Sequence, residues 1–236
     1  MRITDTIKKE LDTHATLERK VASQRYFKTG KGEYGEGDIF IGVDVPDQRS
    51  IAKRYYKEVT LADIEALLHE NVHEYRLTAL YILVLMYEKM KKERHGITAL
   101  YLRNTKYINN WDLVDVSAPK ILGPYLLETG DTSVLYEFAR SKDLWEQRIA
   151  IMSTLAFIRA GRYDDTLKLS MMLLNHKHDL IHKAVGWMLR EVGNKDMQAE
   201  IDFLKEHYKT MPRTMLRYAI EKFDKPTKEA FMKGVM

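Results

Sequence analysis

Helical periodicity is the feature of this sequence that most restricts its fold. Apolar residues recur at three- and four-residue spacings along much of the chain, for example at Leu77, Leu80 and Tyr81. This spacing predicts amphipathic helices. The one candidate for strand alternation, residues 38–43, lies in a glycine-rich stretch that we interpret as a loop followed by a helix. We therefore predict an all-α fold.

Helix-breaking and capping signals divide the chain into short segments. Thr60 and Asp143 each precede a segment with an acid in its first turn, and Pro46 suits the start of a helix. Segments of roughly ten to twenty residues are typical of helical hairpins stacked in series. We predict a single domain over residues 1–236, a curved α-solenoid with a concave face. Further breaks are expected near Asn71, Gly96, Asn109, Gly130, Lys142, Gly161, His176, Gly193 and Pro212.

Composition excludes several classes of site. The chain has no cysteine, which rules out disulfides, thiolate zinc sites and cysteine nucleophiles. The formal net charge of +4 is compatible with nucleic-acid binding but does not identify it. Residues 1–20 lack an apolar signal core, and the most apolar stretch, residues 77–86, is too short to span a bilayer and predicts a buried helix. We expect a cytoplasmic protein without a membrane partner.

No cofactor or metal motif is recognisable. The glycine-rich stretch lacks the Walker pattern, and His176 and His178 lack a partner at metal-ligand spacing. Ser117 has no nucleophile-elbow context. We expect neither a metal nor a cofactor.

Trp111 and Asp115 form the most informative local pair. Their four-residue spacing places an indole and a carboxylate side by side on one helix face. An aromatic face beside a fixed negative charge suits a group that is cationic or becoming cationic. Asp115 could instead form only a surface ion pair with Lys106 or Lys120.

The other two tryptophans also have an arginine three residues later. Trp145 precedes Arg148, and Trp187 shares a predicted helix face with Lys183 and Arg190. Gly186 would let a backbone or a ligand approach closely beside Trp187. Cations with indoles between them suit a nucleic-acid backbone. Two alternatives stay open: tryptophans on helices are often core residues, and the arginines could pair with Glu146 or Glu191.

Four segments, in order along the chain, resemble the AlkD-like family of HEAT-like-repeat alkylpurine DNA glycosylases. They are residues 40–49, residues 111–115 with Leu122 and Gly123, residues 144–151, and residues 183–191. The resemblance implies a stack of HEAT-like repeats whose concave, basic face binds duplex DNA. It implies removal of cationic N3- and N7-alkylated purines by hydrolysis of the N-glycosidic bond, without full base flipping, leaving an abasic site.

The resemblance also implies roles for particular residues. Asp115 would be the catalytic carboxylate, with Trp111 and Trp187 packed against the sugar of the damaged nucleotide. Arg148 would grip the DNA backbone, and Tyr26 would lie near the lesion. We add Lys183 and Arg190 as DNA contacts from their shared helix face. The chemistry fits, because a carboxylate beside the sugar stabilises the positive charge that develops as the purine leaves.

The sequence departs from the family pattern at Asp44 and Val45, where polar, uncharged residues that can meet a phosphate are expected. An alternative hypothesis from another functional class is that the chain is a non-catalytic helical-repeat scaffold that binds DNA or protein. We expect a monofunctional enzyme that acts as a monomer on duplex DNA containing alkylated bases.

Overall fold

The computed structural model describes residues 2–236, and in them the regular secondary structure is helical. An isolated bridge between Ile39 and Val72 is the nearest approach to a sheet in this part of the chain. The predicted all-α class is confirmed, and the stacked helices are consistent with an α-solenoid. Residues 30–44 form a loop before the third helix, as predicted.

The chain forms two compact units, residues 1–125 and 126–236. That the two units make up a single domain stays a prediction. The helices of the first unit are α1 Ile3–His14, α2 Leu17–Tyr26, α3 Val45–Tyr55, α4 Leu61–Leu68, α5 His73–Lys89, α6 Arg94–Arg103 and α7 Trp111–Ser117, and α8 Leu122–Thr129 contains the boundary. Short 3-10 helices lie at Lys91–Glu93 and Thr105–Tyr107.

The helices of the second unit are α9 Ser133–Arg140, α10 Leu144–Ser153, α11 Leu155–Arg159, α12 Asp164–Met172, α13 Asp179–Gly193, α14 Met197–His207, α15 Arg213–Ala219 and α16 Lys225–Lys233. A 3-10 helix, Ile220–Lys222, lies between the last two.

Each unit is built around one central helix. In the first unit, α5 packs against α1, α3, α4, α6 and α7, and it is buried on nearly all sides. This burial confirms the buried helix predicted from residues 77–86. In the second unit, α13 packs against α10, α11, α12, α14 and α15. Both central helices exclude water from the faces of their neighbours, which is where most helical stability in proteins originates.

Local signals set the predicted helix starts. The side chain of Thr60 accepts from the backbone N–H of Asp63, whose carboxylate accepts from Thr60 in return, so α4 begins with a capping box. Asp143 accepts from the N–H groups of Trp145 and Glu146 at 2.7 and 3.3 Å and caps α10. Pro46 lies in the first turn of α3.

The break expected near Gly96 corresponds to the start of α6 at Arg94, two residues before the glycine. Gly96 lies inside α6, where Ile97, Leu100 and Tyr101 are buried. A glycine within a helix costs about 1 kcal/mol relative to alanine. Burial of three large side chains outweighs that cost, so the helix continues through the glycine.

Candidate functional site

Helix α7 carries Trp111 and Asp115. It begins at Trp111, whose backbone N–H donates to Oδ1 of Asn110 at 2.8 Å. Trp111 and Asp115 are both half-buried, whereas Leu113 and Val114 between them are fully buried. The two residues therefore lie one turn apart on the partly exposed side of the helix, as their spacing predicts.

An aromatic column supports the indole of Trp111. The ring of Phe27 stacks on Trp111 with 5.3 Å between centroids, Phe40 stacks on Phe27 at 4.9 Å, and His73 stacks on Phe40 at 4.4 Å. Tyr26, 65% exposed, meets Trp111 edge-on at 5.8 Å. The structure thus brings together two residues that the sequence assigns to one site, Tyr26 and Trp111.

An ionic cluster of Asp38, His73, Arg76 and Asp112 lies at the buried end of this column. Nδ1 of His73 is 2.9 Å from Oδ2 of Asp38, and its Nε2 is 2.8 Å from Oδ2 of Asp112. Arg76 forms an ion pair with the other oxygen of Asp38. The side chain of His73 is only 1% exposed, so its ring is held between two carboxylates away from water.

These contacts fix the charges of the cluster. Burial acts to lower the pKa of His73, but the charges and hydrogen bonds of Asp112 and Asp38 outweigh it and raise that pKa to about 9. Burial acts to raise the pKa of Asp38, but His73 and Arg76 lower it to about 2. At neutral pH, His73 is therefore an imidazolium whose two N–H groups both donate to carboxylates.

The ionic cluster anchors the beginning of α7. Nδ2 of Asn110 donates to Oδ2 of Asp38 at 3.0 Å, and Arg76 donates to Oδ1 of Asn109 at 3.2 Å. With Asp112, three residues around the helix start are tied to the cluster. Sequence reasoning missed this arrangement. Its available signal was the placement of His73 and Arg76 at the start of the most apolar helix.

The glycine-rich loop holds a carboxylate of the chain itself. The backbone N–H groups of Ile41, Gly42 and Val43 donate to Glu74 at 2.7–3.3 Å, and Glu74 is 2% exposed. Gly42 has φ +89°, and a Cβ there would lie 2.2 Å from the carbonyl oxygen of Thr16. The loop therefore has the geometry of an anion-binding nest, and Glu74 fills it.

A basic groove of about 390 Å³ also lies in the first unit. Tyr81 is one of the aromatic residues that line the groove, and the guanidinium of Arg49 lies over its ring, 5.1 Å from the ring centroid. One carboxylate, Glu88, faces several cations, so the groove carries an excess of positive charge. The lining residues are Arg49, Ala52, Lys53, Tyr56, Tyr81, Val84, Leu85, Glu88, Lys89 and Lys120.

In the second unit, α13 places Lys183, Trp187 and Arg190 on its half-buried side, as the spacing predicts. Nε1 of Trp187 donates to Glu191 at 3.0 Å, and Arg190 forms an ion pair with Glu221. Nζ of Lys183 lies 2.7 Å from Asp179. The partner of Arg190 is thus Glu221 rather than the Glu191 that sequence spacing offered.

Gly186 brings another helix close to Trp187. A Cβ at Gly186 would lie 2.4 Å from the carbonyl oxygen of Met215 and 2.5 Å from Cβ of Tyr218. Of the two approaches that the sequence left open, the structure therefore shows a backbone, that of α15, beside this glycine.

Arg148 and Trp145 are buried in the second unit. Arg148 is 4% exposed and donates from Nη1 to the carbonyl oxygen of Leu180 at 2.5 Å, which ties α10 to the first turn of α13. Trp145 is 9% exposed, so the core alternative describes this tryptophan. The assignment of Arg148 to the DNA backbone stays a prediction. A direct contact requires its buried guanidinium to become exposed.

The departure from the family pattern at Asp44 changes the local charge. Asp44 lies 2.5 Å from the guanidinium of Arg19, so its negative charge is paired within the chain.

Throughout residues 2–236, no group of three or more histidine or acidic side chains is arranged to hold a metal ion. None of the helices in that range is both long enough and apolar enough to cross a membrane.

Comparison with known proteins identifies the family. A family model described as DNA alkylation repair enzyme matches residues 7–223. The chain belongs to this family. Membership of this family indicates a role in the repair of alkylated DNA, with DNA as the binding partner.

A solved structure in the same category is similar in fold. It is described as a predicted DNA alkylation repair enzyme from Enterococcus faecalis, and it matches with a TM-score of 0.72 and 20% identity. The match covers 90% of this chain and 98% of that one. No curated protein matches the chain. At this identity the structural match supports the fold of a DNA alkylation repair enzyme and does not assign site residues.

Proposed function

We propose that this member of the DNA alkylation repair family is a monofunctional DNA glycosylase for cationic N3- and N7-alkylated purines. The observation that carries the proposal is the face of α7. There, Asp115 lies one turn from Trp111, whose ring Tyr26 meets at 5.8 Å. Aromatic rings beside a carboxylate suit a sugar that gains positive charge.

The proposed reaction is hydrolysis of the N-glycosidic bond. The bond between C1′ and the purine nitrogen breaks, and its electron pair neutralises the departing cationic purine. Asp115 stabilises the positive charge left on the sugar and accepts a proton from the water that attacks C1′. The products are the free base and an abasic site. The purine is already positively charged, so it needs no general acid to leave.

Binding of duplex DNA would use cations in both units. In the first unit, the basic groove presents Lys53, Lys89 and Lys120 beside aromatic rings, a combination that suits a phosphate backbone. In the second unit, we propose Arg148, Lys183 and Arg190 as backbone contacts and Trp187 as an aromatic contact to the DNA. We propose that the protein acts as a monomer.

A base-release assay tests this function. Duplex DNA containing N7-methylguanine is incubated with the protein, and the free base is measured. Asp115→Asn, which keeps the side-chain size and removes the charge, should lower release about 100-fold or more while duplex binding persists. Asp202→Asn, at an exposed position of α14, is the matched control and should retain full release. Unchanged release in Asp115→Asn would remove the assigned role.

A non-catalytic scaffold that binds DNA or protein is the second candidate. The observation that favours it is the pairing of cations in the second unit, where Lys183 lies 2.7 Å from Asp179 and Arg190 pairs with Glu221. A scaffold would bind methylated and unmethylated duplexes alike and release no base. Measurable base release by the unmodified protein excludes it.

A further inference from the structure

We propose that His73 is a positioning residue for the Trp111–Asp115 face, acting as a charged tie between α5, the loop at Asp38 and the first turn of α7. The expected effect of His73 on catalysis rests on the proposed function. The structural part of the proposal, the placement of Trp111, is independent of that function.

The His73 ring makes a double hydrogen bond. One nitrogen faces Asp38 at 2.9 Å, and the other faces Asp112 at 2.8 Å. Asp112 is the neighbour of Trp111 in the first turn of α7. Because both bonds come from one rigid ring, they fix the distance between the loop and the helix start.

The same ring also ends the aromatic column. Its face stacks on Phe40 at 4.4 Å, and the column continues through Phe27 to the indole of Trp111. His73 therefore reaches Trp111 by two routes, along the backbone of α7 through Asp112 and through stacked rings. A change in its position or charge would be transmitted to the indole.

Both hydrogen bonds of His73 need a charged ring. A neutral imidazole has one N–H and one lone pair, so it can donate to only one of the two carboxylates. The charged groups around it are Asp38 from the loop, Asp112 from α7 and Arg76 from α5, and the charge of Asp112 also reaches Tyr81 of α5. Loss of the proton would leave a buried lone pair facing a carboxylate, which weakens the tie.

Fluorescence of Trp111 tests the structural part. In a background with Trp145→Phe and Trp187→Phe, Trp111 is the sole tryptophan. His73→Phe keeps a flat ring in the column and removes both N–H groups. It should shift the emission of Trp111 to longer wavelength and increase quenching by acrylamide. Leu11→Ala, a core change in α1 outside the ionic cluster, is the matched control and should leave the emission unchanged.

A pH titration provides the second readout and does not depend on the folding of His73→Phe. In the single-tryptophan background, emission should change near pH 9, where His73 loses its proton. Asp112→Asn keeps an oxygen that accepts from Nε2 but removes a charge that favours the imidazolium. Its transition should therefore move to lower pH. An emission that is constant from pH 7 to 10 in both proteins, or a shift of the same size in Leu11→Ala, would overturn the proposal.

Single-turnover base release then tests the catalytic consequence. His73→Phe should lower the rate at saturating protein about tenfold or more, with the Kd for undamaged duplex changed less than about threefold. Equal losses in rate and affinity would indicate general damage and contradict positioning. If the unmodified protein releases no base, the proposed function fails, and the emission of Trp111 still decides whether His73 places α7.

Discussion

The ring of Phe27 lies nearly parallel to the indole of Trp111, with centroids 5.3 Å apart and an interplanar angle of 19°. Phe27 follows directly after α2, whereas Trp111 begins α7. Residues far apart in sequence thus form one stacked pair. One face of the indole is covered by this contact, and Tyr26 packs against the same indole at a steep angle of 75°, so these two rings border what the site can hold.

Phe27→Leu should therefore destabilise the first unit beyond the loss of apolar area. Stacked aromatic pairs contribute about 1 kcal/mol in addition to burial. Urea unfolding of Phe27→Leu, Trp111→Leu and the double variant gives the coupling between the rings. We expect the double variant to lose less stability than the sum of the single variants. Strict additivity would mean that the rings do not stabilise one another.

Arg148→Ala separates two roles of a buried arginine. If Arg148 reaches a phosphate, the slope of log affinity against log salt should become shallower by about one. Loss of its bond to Leu180 should also lower thermal stability by about 1–3 kcal/mol. Lys53→Gln, in the basic groove, is the comparison and should change the slope without the stability loss. Reduced stability with an unchanged slope would assign Arg148 to holding α13 alone.

Glu74→Gln tests the nest in the glycine-rich loop. All three backbone N–H groups donate to Oε1, and that of Ile41 also donates to Oε2. Glutamine keeps one oxygen acceptor but removes the negative charge and places a donor where Oε2 accepts. We expect a loss of about 2 kcal/mol in the free energy of unfolding, because hydrogen bonds to charged groups are worth about that much. Glu70→Gln, at a half-buried carboxylate that pairs with Lys8, should cost less. Equal costs would show that the nest contributes nothing beyond an ordinary ion pair.

Gly186→Ala and Gly96→Ala form a matched pair of helical glycine substitutions. At Gly186, the added methyl would meet the backbone oxygen of Met215 at 2.4 Å, so α15 must move, with an expected cost of about 1–3 kcal/mol. At Gly96, it would meet only Cδ1 of Leu61 at 3.3 Å. We expect a gain approaching 1 kcal/mol there from helix propensity. Thermal unfolding of both variants distinguishes close packing from propensity, and a stabilised Gly186→Ala would contradict the contact with α15.

Glu200 should make stability depend on pH. Burial raises its pKa to about 8, although the charge of Arg190 acts in the opposite direction. The folded state thus keeps a proton that the unfolded state releases at an ordinary glutamate pKa. Stability is fully present below that ordinary value and is lost as pH rises through the folded pKa, by on the order of 1 kcal/mol per pH unit.

Glu200→Gln removes this titration. Stability of the variant, measured by urea unfolding at intervals from about pH 5 to 9, should fall less steeply than that of the unmodified protein, and the two should differ most at the alkaline end. Parallel curves would show that Glu200 does not hold the proton. Within residues 2–236, Oε1 of Glu200 has no hydrogen-bond partner, so replacing the carboxyl group with an amide breaks no hydrogen bond at that atom.

Local chemistry explains which parts of the fold were predictable. The starts of α3, α4 and α10 follow from Pro46, Thr60 and Asp143, each of which acts within a few residues of itself. The Trp111–Asp115 spacing likewise needs only helix geometry. The break expected near Gly96 is found at Arg94, and Gly96 itself lies inside α6, because burial of one face of that helix is a tertiary effect, which no window around the glycine contains.

The support for the site was beyond the sequence for the same reason. Asp38, His73 and Asp112 lie in three separate segments, and nothing local pairs them. The aromatic column similarly joins Phe27, Phe40 and Trp111 across long separations. A polar residue inside an apolar helix marks a position that needs partners. It does not say which partners the fold will bring.

The burial of α5 has a consequence for how the first unit opens. Its backbone amides are covered by five neighbouring helices, so their hydrogens should exchange with solvent only when the whole unit unfolds. Trp111 and Asp115 lie on α7, which packs on this protected helix. The candidate site therefore rests on the slowest-exchanging part of its unit, and motions that admit a damaged nucleotide should come from the exposed side chains of α2 rather than from beneath the indole.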